Sequence, residues 1–93
     1  MTALDSDDPL SRARRLAAYG AADVCREAAV AVRSTAEQRA ADATGARDCW
    51  EGPHRRAFDE ADAAARRRAA ALEAAARALA ARFEEVAEPG GGW

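Results

Sequence analysis

The chain has no Lys, no Ile and no Asn, and all fourteen of its basic residues are Arg. Alanine fills 29 of its 93 positions. Such Arg-for-Lys, Ala-heavy usage is that of a GC-rich genome. Large apolar side chains are scarce. Leu, Val, Phe, Met, Trp and Tyr supply fifteen residues between them, so most of the 49% hydrophobic content is Ala. That excludes a substantial private core, and a chain this small then needs a staple or a partner. Its length also excludes a second independent domain.

The two Cys do not supply the staple. Cys25 falls within the first helix and Cys49 just past its end, which separates them by roughly 30 Å at about 1.5 Å per residue. A disulfide needs Cα atoms within about 7 Å. No apolar run approaches the roughly 18 residues of a membrane span, which argues against membrane insertion. The start, Met1-Thr2-Ala3-Leu4-Asp5-Ser6-Asp7-Asp8, is acidic and has no basic end or apolar stretch of a cleaved signal. Sixteen acidic groups against fourteen basic ones leave a net charge of −2, which argues against a general nucleic-acid binder.

What the chain does have is two long stretches almost free of helix breakers, rich in Ala and Arg. Gly and Pro punctuate it at Asp8-Pro9, between Gly45 and Pro53, and from Pro89 through Gly90-Gly91-Gly92. Asp8 suits an N-cap, with Pro9 at the first helical position, where its missing N–H is harmless. Gly45 suits a left-handed stop and Gly52-Pro53 a second start. The expectation is a disordered N-terminus over 1–8, helices over 9–45 and 53–88, a loop over 46–52 and a flexible tail over 89–93. Helices this long on a loop this short lie antiparallel.

In the second helix Phe58, Ala61, Ala65, Ala69, Leu72, Ala76, Leu79, Phe83 and Val86 recur at steps of three or four, the spacing of a supercoiled seam. Asp62–Arg66 and Glu73–Arg77 form acid-first pairs four apart, expected on the outward side. In the first helix the matching stripe is Leu10, Ala13, Ala17, Ala21, Val24, Ala28, Ala31, Thr35 and Gln38. Gly20 within it is expected to mark a tight helix crossing. One hairpin cannot cover all of this apolar surface. The fold class is therefore all-α: an antiparallel two-helix hairpin that pairs into a four-helix bundle, with itself or with a second hairpin protein. The partner interface is assigned to Ala17, Ala21, Val24, Ala28, Phe58, Ala65, Leu72, Leu79, Phe83 and Val86.

Other signals carry less. Arg55-Arg56 and Arg66-Arg67-Arg68 are diluted by Asp59, Glu60, Asp62 and Glu73, so they read as a solvated, salt-bridged face and not as a nucleic-acid surface. Cys49 and His54 are too few for a structural zinc site, so no metal is assigned. As a Cys-His dyad they have no third orienting group and no oxyanion hole, so neither an enzyme nor a cofactor is expected.

The loop reads Asp48-Cys49-Trp50-Glu51-Gly52-Pro53-His54, with Phe58 opening the stripe that follows. This Trp-x-Gly at mid-chain, between two long Ala-rich helices, resembles the WXG family of ESAT-like proteins over about residues 9–88. The resemblance implies a non-catalytic hairpin of a bacterial type VII secretion system. Such a protein pairs with itself or a second hairpin and is secreted without a cleaved signal, with a cytoplasmic pool. It is either a substrate or the targeting partner of a larger secreted effector, and the secretion ATPase is a further partner. Trp50 and Gly52 carry the motif and are the recognition candidates; Trp50 is also a candidate plug for the hairpin's tip. The family's export mark, Tyr-x-x-x-Asp or Tyr-x-x-x-Glu just beyond the second helix, is missing from Phe83 to Glu88. Its spacing occurs only at Tyr19 and Asp23, inside the first helix, so a partner is expected to supply the mark. The alternative is a cytosolic chaperone or antitoxin-like partner that is not exported. The tail's Trp93 is either a docking hook or an exposed end.

Overall fold

Asp8 starts the first helix as its composition suggests. Its carboxylate accepts the backbone N–H of Leu10 at 2.8 Å and of Ser11 at 3.0 Å, and Pro9 takes the first turn. The Ser11 N–H bond, aided by the Ser11 hydroxyl, holds the Asp8 carboxyl below the usual carboxylate range. In the computed structural model, which describes residues 8–88, α1 runs Pro9–Ala46 and α2 runs Gly52–Ala87. Readings made of residues 1–7 and of the tail 89–93, including Trp93, lie outside the described residues. The architecture is an all-α antiparallel hairpin.

The ends of both helices differ by one residue from the expected ones, each for a local reason. Gly45 does not stop α1. The helix passes through it to Ala46 and tightens into a 3-10 turn over Arg47–Cys49, with the Trp50 N–H donating to the Arg47 carbonyl at 3.2 Å. Tightening satisfies terminal carbonyls without a left-handed residue. The chain reverses where Trp50 and Glu51 become extended and Gly52 takes φ +59, among described residues the one positive φ. A residue before proline is pushed out of the right-handed helical region, and only Gly accepts this alternative cheaply. At the other end α2 stops at Ala87, not Glu88. Glu88 precedes Pro89 and is extended, at ψ 144.

The seam between the helices is made of alanine. Ala18, Ala22 and Ala29 of α1 and Ala80 and Ala87 of α2 are buried, and Cys25, Val32, Phe58 and Phe83 are half-buried. This corrects the reading of α1. Ala17, Val24 and Ala28 lie on the exposed side, Ala21 is half-buried, and the inner stripe begins one residue later. One residue is about 100° around a helix, so the expected stripe sits beside the seam and not in it. Gly20 is likewise no close crossing, because a Cβ there would meet nothing within 4 Å. In α2, Ala65, Phe58, Phe83 and Val86 are half-buried, whereas Leu72 and Leu79 are 58% and 49% exposed.

Such a seam stabilises weakly. One buried methyl contributes about 0.8 kcal/mol, while ordering the backbone of one residue costs about 1–2 kcal/mol. Helix propensity must supply much of the difference, with each exposed cross-helix ion pair adding at most about 1 kcal/mol. Arg26–Glu84, Arg33–Glu73 at 3.8 Å and Arg47–Asp59 at 3.3 Å bridge the helices in one antiparallel register. That register carries the end of α2 to about the level of Ala18, which is buried, so roughly the first two turns of α1 extend beyond it. The molecule is a rod of 74 × 18 × 11 Å. Its radius of gyration, 20.8 Å, compares with about 12 Å for a compact domain of this length.

Candidate interaction site

Three surfaces follow from this geometry: the tip, an ion-paired face and an open apolar face. At the tip, Trp50 closes the 3-10 turn, and its ring stacks on Phe58 with centroids 6.1 Å apart and planes 23° from parallel. His54 flanks the same ring at 6.2 Å, tilted by 44°. Phe58 and His54 are four apart on the first turns of α2, which brings both to the side facing the loop. Trp50 nevertheless remains 44% exposed. It therefore does two jobs at once, plugging the tip with one side of the indole and presenting the other side to solvent. Gly52 makes this possible by its left-handed turn, and a Cβ there would meet nothing within 4 Å, so the backbone angle alone calls for glycine. Arg47 and Arg55 both reach Asp59 beside the turn, at 3.3 Å; the Arg47 Nε approach has the distance of an ion pair without the angle of a hydrogen bond.

The ion-paired face runs along one side of the seam. Glu73 accepts from Arg77 at 3.0 Å and faces Arg33 across the helices at 3.8 Å. Arg26 joins Glu84 while also holding Asp23 at 2.8 Å. The Asp62–Arg66 and Glu73–Arg77 pairs form as expected, but not on the outward side. The side chains of Asp62 and Glu73 are only 16% and 21% exposed, since both sit at the helix–helix boundary. Position 73 does for charge what an apolar residue would do for packing: it ties α2 to α1. Val30 is an exposed apolar residue on this side, one helical step from Arg26 and Arg33.

The open face lies opposite. It includes a groove of about 510 Å³ with an apolar lining that includes Ala31, Val32, Thr35, Ala65, Ala69 and Leu72. Arg39 and Arg68 stand at its edges, together with the Asp62–Arg66 pair. Of the interface residues expected from sequence, Ala65 and Leu72 line this groove, and Val24, Ala28 and Leu79 continue the exposed side of the seam away from the tip. Phe58 belongs to the tip, and Phe83 and Val86 are half-buried near the far end. Arg39 and Arg68 did not stand out in sequence. The signal was a partial one: Arg68 has only Ala and Leu at helical spacing, whereas Arg39 has Asp42 three residues on, an acid that Gln38 engages at 3.1 Å.

Cys25 and Cys49 are both free, the first half-buried and the second exposed. Among the described residues no three His, Cys, Asp or Glu side chains gather closely enough to hold a metal ion, and no helix is long and apolar enough to cross a membrane. Compared with known proteins, the chain matches no family model, no curated protein and no solved structure.

Proposed function

We propose that this chain is a non-catalytic interaction protein of the WXG type. Its role is to complete a helical bundle with itself or a second hairpin, within a type VII secretion system. It serves either as a secreted substrate or as the pairing and targeting partner of a larger secreted effector. The observation that carries this reading is the tip, where Gly52 turns the chain left-handed and Trp50 is held against Phe58 with nearly half its surface still exposed. An aromatic fixed in place but not buried is what a recognition contact requires, because its ordering cost is already met before binding. The alanine seam adds support, since Leu10, Leu16, Leu72 and Leu79 are all left 49–65% exposed. A soluble chain with so little core gains from covering them.

Replacing Trp50 tests this reading. Trp50→Ala keeps the far-UV circular dichroism of the hairpin and weakens pairing or reduces the protein found in culture medium of cells that have not lysed. Collapse of the helical signal would instead assign Trp50 to the fold alone. Strict retention of the wild-type chain in an export-competent strain would replace the secretion reading with that of a cytosolic chaperone or antitoxin-like partner.

A further inference from the structure

The arginines of this hairpin divide into two groups. Those along the ion-paired face are neutralised within the molecule: Arg26 by Glu84 and Asp23, Arg33 by Glu73 and Glu37, Arg77 by Glu73. Those at the open groove are not. Arg39 and Arg68 are exposed and make no ion pair or hydrogen bond among the described residues; Asp62 at the groove is already engaged by Arg66 at 3.0 Å, and Asp42, three residues from Arg39, by Gln38 at 3.1 Å. The apolar lining of the groove is therefore bordered by uncompensated positive charge.

Two exposed leucines on the same side repeat the pattern. Leu72 has Arg68 four residues back and Leu79 has Arg82 three on. Each of these arginines shares its helix face with the leucine beside it. No acidic residue stands at three or four from either leucine. Val24 and Val30, each three from Glu27, are of the other kind. A second copy offering its leucines to this groove would bring arginine against arginine, and like charges facing one another in an interface count against that pairing.

From this we infer that the groove receives a helix of a different protein, one whose apolar anchor residues are flanked by carboxylates. The inference rests on the reading of the hairpin as half of a bundle and adds the chemistry of the other half. Apolar side chains of the partner enter between Thr35 and Leu72 over the small floor of Ala65 and Ala69, while its acids reach Arg39 and Arg68 at the edges. Burial supplies the attraction, and the charges choose the partner.

Two synthetic helical peptides of about 20 residues serve as probes. Each carries a Leu/Ala stripe, flanked by Glu in one and by Arg in its twin. Titrated by fluorescence anisotropy into the purified native chain, the Glu peptide binds at least about tenfold more tightly than the Arg peptide, and salt narrows the gap. The double variant Arg39→Glu, Arg68→Glu inverts the preference. Both positions are exposed and unpaired, so its circular dichroism matches the native chain; should it not fold, the two peptides on the native chain still decide. Light scattering on the chain alone gives a monomer at micromolar concentration. A stable self-dimer that shields the groove would overturn the acidic-partner inference and leave the bundle reading standing. Equal binding of the two peptides would likewise remove the charge selection. A monomer that binds neither peptide sinks both the inference and the bundle reading beneath it.

Discussion

The two faces of this hairpin are built from the same few residue types and do opposite things. On one, Arg26, Arg33 and Arg77 meet Glu84 and Glu73 and tie the helices together. On the other, Arg39 and Arg68 border an apolar groove without an ion pair or hydrogen bond among the described residues. Composition is the same on both; spacing is not. An acid placed four residues from an arginine, or across the seam from it, makes a strut. An arginine with only alanine and leucine at those spacings, as Arg68 has, leaves a charge for another molecule. The thin core makes the distinction matter, because a seam of alanines leaves the ion-paired face a larger share of the work.

The sharpest way to separate the faces is to place a charge on adjacent residues. Ala29 is fully buried and Ala28 is exposed, one position apart. Ala29→Glu puts a carboxylate into the seam and costs about 3 kcal/mol or more, which lowers the thermal melt further than any exposed substitution does. Ala28→Glu leaves the monomer's thermal melt unchanged. Equal effects would mean the seam is not where the alanines place it.

Next in size is the turn that joins the faces. Gly52→Ala forces a Cβ into left-handed backbone and destabilises by about 1–2 kcal/mol in chemical denaturation. Gly20→Ala, in open space on α1, stabilises by about 0.5–1 kcal/mol. Opposite signs from the same substitution would tie the effect to the backbone angle rather than to added bulk.

Smaller again is the test of the struts themselves. Glu73→Gln removes the partner of Arg33 and Arg77 and costs up to about 1 kcal/mol, an effect that shrinks in high salt. Arg68→Gln, on the open face, changes the melt of the isolated chain by no more than the error. The least of these effects concerns the cap. The folded-state pKa of Asp8 is lowered, so its contribution is complete above the ordinary carboxylate range and is lost as pH falls through the lowered value. Circular dichroism across an acid titration should show a small loss of stability that Asp8→Asn reduces, since asparagine caps without titrating.

Much of this architecture could be read in the sequence, because the signals involved are local. The cap at Asp8-Pro9, the restart at Gly52-Pro53 and the pairs Asp62–Arg66 and Glu73–Arg77 each depend on residues within one turn. The inner stripe of α1 was not legible, and the reason is its alanines. Doublets at Ala17-Ala18, Ala21-Ala22 and Ala28-Ala29 give two adjacent stripes nearly equal periodicity. What separates them is long-range: Arg26 and Arg33 must lie where they can reach Glu84 and Glu73. The same blindness hid the groove, since an arginine without a partner looks in sequence like any other arginine. Gly45 misled for a simpler reason. A glycine near a helix end is a permitted stop, and the extended Trp50 and Glu51 made the actual break after it.

The alanine seam also bears on cooperativity. No single large side chain locks the two helices, so the hairpin has no keystone whose loss opens everything at once. Its contacts are many, small and nearly alike, spaced along a rod closed at one end by Trp50 on Phe58 and left uneven at the other, where α1 outruns α2. The buried alanines, Ala18, Ala22, Ala29, Ala80 and Ala87, all lie in the half away from the tip, so that half holds the better-packed seam and is the last to open. The open groove lies nearer the tip, where no described residue is buried along the two helices, so the surface offered to a partner is the looser part of the seam, the part that a partner's helix would complete.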